Sequence, residues 1–268
     1  MKKYLVIGNP IKHSLSPVIH NYWMEKYKLT DSIYEKKKIE KSELKNIVDQ
    51  IRNGELIGAN ITVPFKKEII PLLDKIDDIA KSTISVNTLF KVEDKVFGYN
   101  TDAPGFDESL AHVDFKNKDI FIIGSGGVTP SIIYSFINKV NKIYVTNRTK
   151  KKAERLKQLY SYSDTLIEVI DWGKKPKACD LIINTTSVGL TKVENLGLDF
   201  KNYENDNDVL FYDIIYSPKE TNFLKEARLR GNKTMNGGMM FLNQAKIAFQ
   251  IWTGITVEID KEVIKLLD

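Results

Sequence analysis

The chain has 268 residues, of which 42% are hydrophobic, and this length lies near the size at which one core commonly divides into two domains. The single cysteine, Cys179, excludes an internal disulfide framework, as is usual in the cytoplasm, so we expect a cytoplasmic protein. Cys179 and the three histidines do not have the spacing of metal ligands, so we expect no metal. No apolar run approaches the length of a membrane span, so we expect no membrane contact. The net charge of +5 comes from lysines scattered among 35 acidic residues, which indicates small anionic ligands and no nucleic acid.

The first predicted strand covers residues 4–7, and a helix follows it because apolar residues then recur at helical spacing. Ser16 is the predicted N-cap of this helix, and Pro17 is its first helical residue. Ser14 and Ser16 place two hydroxyls beside the free N–H groups of a helix N-terminus, where a carboxylate can bind. Helix capping alone is the alternative role of the two serines.

The next predicted elements are a strand over residues 33–39, a helix near 42–52 and a strand over 56–63. This alternation of strands and helices predicts an α/β fold. Asn60 and Thr62 share one face of the last of these strands, with Ile61 and Val63 on the other face. Polar side chains at the carboxyl end of a strand lie where open α/β sheets bind ligands.

The apolar spacing after Pro64 predicts a helix that begins near Lys66. A lysine in the first turn of a helix opposes the helix dipole, which favours the neutral amine needed for proton exchange. Lys66 is therefore either an acid–base residue or a solvated surface lysine, the role we favour for Lys67. After a predicted hairpin over residues 85–99, Asp102 is either a helix N-cap or the carboxylate that holds Lys66.

Residues 119–149 predict a buried strand, a glycine turn, a helix and a second strand. Glycines in the turn, Gly124-Ser125-Gly126-Gly127, would let the backbone approach a pyrophosphate, although Thr129 stands where the dinucleotide-binding fingerprint asks for glycine or alanine. The second strand ends in Asn147-Arg148-Thr149, where NAD sites usually carry an acidic residue. Since arginine attracts a 2′-phosphate, NADP is the predicted cofactor. The alternative is that Arg148 and the lysines at 150–152 begin a solvated helix.

The remaining predicted elements are a helix over residues 150–159, strands over 165–170, 180–186 and 209–215, and helices over 221–230 and 239–253. Polar residues that end the strands, such as Thr185 and Tyr216, indicate the ligand side of the sheet. Gln244 lies on the apolar stripe of the last helix and needs a hydrogen-bond partner, which is either the backbone or a polyhydroxylated ligand.

Seven motifs resemble the shikimate dehydrogenase family in their order and approximate spacing, and together they extend over essentially the whole chain. They occupy residues 7–17, 60–66, 85–88, 98–102, 124–127, 147–149 and 244–245. Two departures are Val128-Thr129-Pro130, which replaces the small residues usual after the glycines, and Met239, which stands where a second glycine is common. Because of the first departure, we expect the crossover helix after the glycines to begin differently from that of the family.

The resemblance implies an N-terminal α/β substrate domain over residues 1–103 and 237–268 and a Rossmann-type NADP domain with a parallel sheet over 104–236. In the family the C-terminal helices return to the first domain. The implied reaction is the reduction of 3-dehydroshikimate by NADPH, a step of aromatic amino acid biosynthesis, with Lys66 and Asp102 as the acid–base pair. A monomer or homodimer is expected.

The resemblance also assigns binding residues. For the substrate carboxylate they are Ser14, Ser16, Thr62 and Tyr216, and for the ring hydroxyls they are Asn60, Asn87 and Gln244. For the cofactor they are Gly124, Ser125, Gly126, Gly127, Asn147, Arg148, Thr149, Lys152, Thr185 and Gly237. Two other functions remain open: a quinate or dual-specificity dehydrogenase, which Ser16 and Arg148 disfavour, and a non-catalytic shikimate sensor, which an intact Lys66 and Asp102 disfavour.

Overall fold

The structure is a computed structural model that describes residues 1–190, 195–204, 206 and 208–267. The chain forms two compact units: unit 1 contains Met1–Ser109 and Phe241–Leu267, and unit 2 contains Leu110–Met240. The predicted domain division at residues 103 and 237 stays a prediction, and residue 268 lies outside the described residues.

In chain order the helices and strands are β1 (Lys2–Gly8), α1 (Ser16–Lys26), β2 (Ser32–Lys38), α2 (Leu44–Arg52), β3 (Gly58–Ile61), β4 (Lys75–Ile76), α3 (Asp78–Thr83), β5 (Thr88–Val92), β6 (Lys95–Tyr99), α4 (Asp102–Ser109), β7 (Asp119–Ile123), α5 (Thr129–Phe136), β8 (Lys142–Thr146), α6 (Lys150–Leu159), β9 (Leu166–Ile170), β10 (Leu181–Asn184), β11 (Leu210–Asp213), α7 (Asn222–Leu229), β12 (Lys233–Asn236), α8 (Gly238–Thr253) and α9 (Lys261–Lys265). Short 3-10 helices cover Lys41–Glu43, Ile70–Leu72 and Lys201–Tyr203.

The sheet of unit 1 has the strand order β2-β1-β3-β5-β6-β4. β1 pairs in parallel with both of its neighbours, and β5 is antiparallel to β3 and β6. Both faces of β1 are buried because its side chains alternate: Leu5 and Ile7 pack with α2, whereas Tyr4 and Val6 pack with α1 and α8. The two edge strands are β2 and β4, and β2 pairs with β1 from Lys2↔Ser32 to Gly8↔Lys38.

The sheet of unit 2 is entirely parallel and has the strand order β12-β11-β10-β7-β8-β9. Counted within the unit, this is the order 6-5-4-1-2-3 of the Rossmann fold, in which ligands bind at the carboxyl ends of the central strands. All apolar residues of β7 are fully buried, as expected for a parallel strand with both faces covered. The predicted α/β class with a Rossmann-type parallel sheet is therefore confirmed.

The prediction of a helix that begins near Lys66 is wrong. Residues 63–69 form hydrogen-bonded turns, followed by the 3-10 helix Ile70–Leu72. Pro71 would lie inside the predicted helix, where it has no N–H to donate and its ring crowds the preceding turn. The argument from the helix dipole therefore does not apply to Lys66. Val63, which we placed in the strand beside Ile61, is 54% exposed because β3 ends before it.

The predicted N-cap of α1 is wrong by one residue. Ser16 is the first helical residue and Leu15 is the N-cap, because the backbone of Leu15 is already helical with φ −88° and ψ −2°. Four elements that the sequence analysis missed, β4, α3, β12 and α9, are short and have no apolar run. Within the described ranges, no helix is long and apolar enough to cross a membrane.

Candidate active site

Lys66 and Asp102 form an ion pair in unit 1. Lys66 lies in the turns that follow β3, Asp102 opens α4, and the distance from Lys66 Nζ to Asp102 Oδ2 is 2.6 Å. Their side chains are only 12% and 8% exposed, so the pair is largely removed from solvent. Asn100 Oδ1 accepts a hydrogen bond from the Ala103 N–H at 3.1 Å, and in this way Asn100 caps α4 while Asp102 contacts the lysine.

Asn87 joins this ion pair to the end of β6. The backbone N–H of Thr101 lies 2.8 Å from Asn87 Oδ1, and since a backbone N–H can only donate, it fixes the orientation of the carboxamide. The amide nitrogen of Asn87 then donates to Asp102 Oδ1 at 3.0 Å and to Thr101 Oγ1 at 2.8 Å. The neighbouring Val86 N–H donates to the Lys66 carbonyl at 2.9 Å. One short segment thus positions both members of the pair.

Asn60 extends the same buried network. Its amide nitrogen donates to the Asn87 carbonyl at 3.1 Å and to Thr88 Oγ1 at 3.0 Å. Tyr34 donates its hydroxyl proton to Asn60 Oδ1 at 2.6 Å. The structure therefore brings together four predicted residues, Lys66, Asp102, Asn87 and Asn60.

The sequence analysis missed three members of this network, Tyr34, Thr88 and Thr101. The two threonines flank predicted site residues in the motifs at 85–88 and 98–102, which was an available signal. Tyr34 lies in a strand with no polar motif, so the sequence gave no signal for it.

His20 packs beneath the network. Its ring is fully buried and stacks on Tyr34, with ring centroids 4.3 Å apart and planes 7° apart. Burial lowers the pKa of His20 to about 3, because the charged imidazolium would lose its hydration. Neither ring nitrogen has a hydrogen-bond partner in the part of the chain that the structure describes. The ring is therefore a neutral aromatic packing unit at ordinary pH.

The two predicted carboxylate-binding serines lie together at the N-terminus of α1. Ser14 Oγ lies 3.2 Å from Ser16 Oγ and accepts a hydrogen bond from the Ser16 N–H at 3.3 Å. Thr62 packs against the end of β1, since a Cβ atom on Gly8 would lie 2.5 Å from Thr62 Cγ2. Ser14 and Thr62 thus lie in the loops that follow β1 and β3, and Ser16 lies at the start of the helix after β1.

Gln244 lies on α8 where this helix packs against α4. A Cβ atom on Gly105 would come within 2.7 Å of the Gln244 backbone nitrogen, so glycine permits the close approach of the two helices. The side-chain nitrogen of Gln244 donates to the Phe241 carbonyl at 2.8 Å, which is the backbone partner that we considered as an alternative to a ligand. Tyr216 follows β11 in unit 2, and its role in substrate binding stays a prediction.

The glycine turn between β7 and α5 has the features of a phosphate loop. Gly124 has φ +113°, and a Cβ atom there would lie 2.6 Å from Thr185 Oγ1, so only glycine fits. Gly126 and Gly127 are exposed, and a Cβ atom on Gly126 would have no neighbour closer than 3.8 Å. Ser125 Oγ is buried and has no protein partner among the described residues. Open backbone and an unpaired hydroxyl suit the pyrophosphate of a dinucleotide.

Thr185 fastens the glycine turn to the sheet. Its N–H and its hydroxyl both donate to the carbonyl of Ile123, the last residue of β7, at 2.8 and 2.9 Å. Thr129, the first residue of α5, places its hydroxyl 2.8 Å from that of Thr185. The unusual threonine in the fingerprint is thus bonded to the end of β10.

The end of β8 presents the predicted 2′-phosphate site. Asn147 Nδ2 donates to the Thr149 carbonyl at 3.0 Å, which orders the turn before α6. Arg148 and Lys152 are exposed, and the ion pairs of the described residues include neither of them. Lys150 instead pairs with Asp171 at 2.6 Å, and both side chains are more than half exposed, which fits the alternative of a solvated helix start for this lysine. Two cationic side chains therefore remain available to an anion.

The strand ends beside the glycine turn depend on a buried carboxylate that the sequence analysis missed. Asp213, the last residue of β11, accepts hydrogen bonds from Asn184 Nδ2 at 3.1 Å and from the Thr221 hydroxyl at 2.6 Å. Burial raises the pKa of Asp213 to about 6, against the opposing effect of these donors. The sequence signal for Asp213 was a lone acidic residue directly after the apolar run of β11.

Position 237, which follows β12, requires glycine. A Cβ atom on Gly237 would lie 2.0 Å from the Ile214 carbonyl oxygen.

No cluster of three or more metal-ligating side chains occurs within residues 1–190, 195–204, 206 and 208–267.

Two family models match the chain: the model for the shikimate dehydrogenase substrate binding domain over residues 6–89, and the model for shikimate / quinate 5-dehydrogenase over residues 108–222. The NADP(+) shikimate dehydrogenase of Pelagibacter ubique (strain HTCC1062) is 47% identical over 270 residues, which cover 100% of this chain and 99% of the relative.

Solved structures of the same family superpose on the whole chain. The shikimate dehydrogenase from Aquifex aeolicus has 37% sequence identity and a TM-score of 0.88, with 100% of this chain and 97% of that chain covered. The shikimate 5-dehydrogenase from Thermus thermophilus, in complex with NADP(H) and shikimate, has 28% identity and a TM-score of 0.87, with 100% and 98% covered.

Proposed function

Since this chain belongs to the shikimate dehydrogenase family of NADP-dependent oxidoreductases, we propose that it reduces 3-dehydroshikimate to shikimate with NADPH and catalyses the reverse oxidation. The observation that carries the proposal is the Lys66–Asp102 pair, nearly buried and 2.6 Å apart at the end of the unit 1 sheet. A buried lysine held by a carboxylate is a suitable proton donor to a carbonyl oxygen.

In the proposed mechanism, Lys66 donates a proton to the carbonyl oxygen of 3-dehydroshikimate. Bound NADPH supplies the hydride that reaches the carbonyl carbon, so that the C=O group becomes CH–OH. Asp102 holds one N–H of the Lys66 ammonium, which leaves two for the substrate. In the reverse direction the neutral amine of Lys66 accepts the hydroxyl proton.

The proposed substrate contacts use the hydrogen-bonding capacity that the described network leaves over. Asn60 Oδ1 accepts one bond, from Tyr34, and keeps a second lone pair for a ring hydroxyl. Gln244 donates one of its two side-chain N–H groups to Phe241 and can give the other to the substrate. Both N–H groups of Asn87 already have protein acceptors, so we assign it mainly to holding Asp102. Ser14, Ser16, Thr62 and Tyr216 would bind the carboxylate.

The proposed cofactor contacts follow the geometry of unit 2. The turn at residues 124–127, with Thr185 beside it, would hold the pyrophosphate, and Gly237 would contact another part of NADP. Arg148 would pair with the 2′-phosphate, together with Lys152 and the donors of Asn147 and Thr149. We accordingly propose that unit 1 is the substrate domain and unit 2 is the NADP domain. We also propose a cytoplasmic monomer or homodimer that binds neither nucleic acid nor membrane, which size-exclusion chromatography and sedimentation tests can check.

The test is initial-rate nicotinamide reduction by the purified protein with shikimate or quinate, each combined with NADP or NAD. Fast turnover with shikimate and NADP alone supports the proposal. Comparable rates with quinate or NAD would instead indicate a dual-specificity dehydrogenase. Absence of turnover in all four reactions, with shikimate still bound, would overturn the enzymatic proposal in favour of a sensing protein.

A further inference from the structure

Thr129 departs from the dinucleotide fingerprint, and its surroundings give this departure a role that rests on the proposed NADP function. The residue is fully buried although it lies at the start of α5, directly after the exposed glycines of the turn. Its partner Thr185 is only 4% exposed. The contact between the two hydroxyls is therefore a desolvated hydrogen bond, of the kind that costs most when one partner is removed.

The direction of this hydrogen bond follows from the other partner of Thr185. A hydroxyl has one proton, and Thr185 donates it to the Ile123 carbonyl at 2.9 Å. In the 2.8 Å contact between the threonines, Thr185 Oγ1 must therefore accept and Thr129 must donate. Since the Thr129 proton is committed to Thr185, the Thr129 hydroxyl has no proton for a phosphate. Its effect on a ligand must be indirect.

The turn is held at both of its ends. At the first end, the Gly124 N–H donates to the Thr146 carbonyl at 2.8 Å. At the other end, the Thr129 N–H donates to the Gly126 carbonyl at 3.2 Å, while the Thr129 hydroxyl reaches Thr185. The exposed backbone of Gly126 and Gly127 lies between these attachments. The turn is thus held in one shape by bonds that a cofactor does not have to form.

We propose that Thr129 is a positioning residue for the cofactor pyrophosphate. Its hydroxyl fastens the first turn of α5 to Thr185 and β7, so the backbone N–H groups of the glycine turn are arranged before a dinucleotide arrives. A site that is already ordered loses less conformational entropy on binding, and its affinity is higher for that reason. Thr129 acts on the pyrophosphate, which NADP and NAD share, whereas Arg148 acts on the 2′-phosphate, which only NADP carries.

The two roles can be separated by measuring the dissociation constants of NADP, NAD and 2′-AMP for the full-length protein. The last ligand has the adenosine and the 2′-phosphate but no pyrophosphate. Thr129→Val keeps the volume of the side chain and removes the hydroxyl, and we expect it to weaken NADP and NAD by the same factor, about tenfold, with 2′-AMP unchanged. Thr129→Ser keeps the hydroxyl and should bind all three ligands as the wild type does. Arg148→Ala should give the opposite pattern, with NADP and 2′-AMP weakened and NAD retained.

Thr165→Val is the matched control, because Thr165 is also a buried threonine of unit 2 whose hydroxyl accepts a hydrogen bond from the Asn138 N–H at 2.7 Å. It should bind all three ligands normally. Thr129→Ala, which also lacks the hydroxyl, replaces the valine variant if the latter does not fold.

Three results would overturn the inference in different ways. Equal binding by Thr129→Val and Thr129→Ser would remove the role of the hydroxyl. Weaker binding of 2′-AMP as well would indicate general damage to unit 2 in place of positioning. A wild-type protein that binds none of the ligands would overturn the proposed NADP function itself.

Discussion

Replacing Lys66 by methionine removes the ammonium group and keeps a side chain of similar length, which leaves Asp102 as a buried charge without its cation. The carboxylate is 8% exposed and retains one hydrogen bond, from Asn87 at 3.0 Å. Removing one member of a buried ion pair typically costs about 3–5 kcal/mol. Because Asn87 still contacts Asp102, we expect the lower end of this range: Lys66→Met should reduce the free energy of unfolding of unit 1 by about 3 kcal/mol.

The double variant Lys66→Met with Asp102→Asn is the matched comparison. It contains neither charge, and an amide oxygen at position 102 can still accept from Asn87. Replacing both members of a buried pair by neutral groups is often close to neutral, so the double variant should be more stable than Lys66→Met by about 2 kcal/mol. Turnover should fall in both variants by a factor of about 10²–10⁴, the usual contribution of a general acid or base, with much smaller changes in KM.

Urea unfolding at pH 7, followed by tryptophan fluorescence, measures the stability difference. Trp23 and Trp252 lie in the core of unit 1, whereas Trp172 belongs to unit 2, so a Trp172→Phe background restricts the signal to unit 1. Near-normal turnover of Lys66→Met would remove Lys66 from the mechanism. A double variant no more stable than the single one would show that Asp102 does not carry a charge held by Lys66.

Three further predictions concern pH, cofactor and packing. The folded pKa of His20, about 3, lies below the unfolded value of 6.5, so its contribution to stability is present above pH 6.5 and is lost as the pH falls. As the pH falls from 7 to 5, the stability of His20→Phe relative to the wild type should therefore rise by about 2 kcal/mol in urea unfolding. A difference in unfolding free energy that is the same at both pH values would contradict the neutral buried ring. Arg148→Ala should weaken NADP binding about 10- to 100-fold with little effect on NAD, as measured by fluorescence titration; equal losses would mean that Arg148 does not read the 2′-phosphate. Gly237→Ala should destabilise unit 2 by about 1–3 kcal/mol in urea unfolding, because its methyl group would meet a carbonyl oxygen 2.0 Å away, and wild-type stability would show that the backbone relaxes freely there.

The sequence predicted unit 2 well because parallel strands with both faces buried are continuous apolar runs, as in Ile120-Phe121-Ile122-Ile123. The edge strand β12 escaped the analysis, since Lys233–Asn236 is only partly buried and has no such run. The false helix near Lys66 arose from apolar spacing that fitted a helix, although Pro71 prevented one. The helical spacing of apolar residues takes no account of a single proline.

The candidate site, like the fold, could be predicted only in part from the sequence. Local spacing placed Asn60 and Thr62 near the end of a strand, and glycines marked the turn at 124–127. The contact between Lys66 and Asp102 joins residues 36 positions apart, and no local pattern encodes such a pairing. The roles of Thr101 and Thr88 depend on which atom of the Asn87 carboxamide faces which neighbour, and that follows only from three-dimensional contacts.

The outer edge of the unit 1 sheet affects how separate copies of this chain meet. β2 is one of the two terminal strands, and its last four residues, Glu35-Lys36-Lys37-Lys38, are all exposed. A terminal strand offers unpaired backbone groups to any other strand, and lysines on it oppose such pairing because the two chains repel each other. Two copies that joined through β2 would bring six ammonium groups together. The lysine-rich edge thus opposes aggregation by strand addition between newly made, partly folded chains.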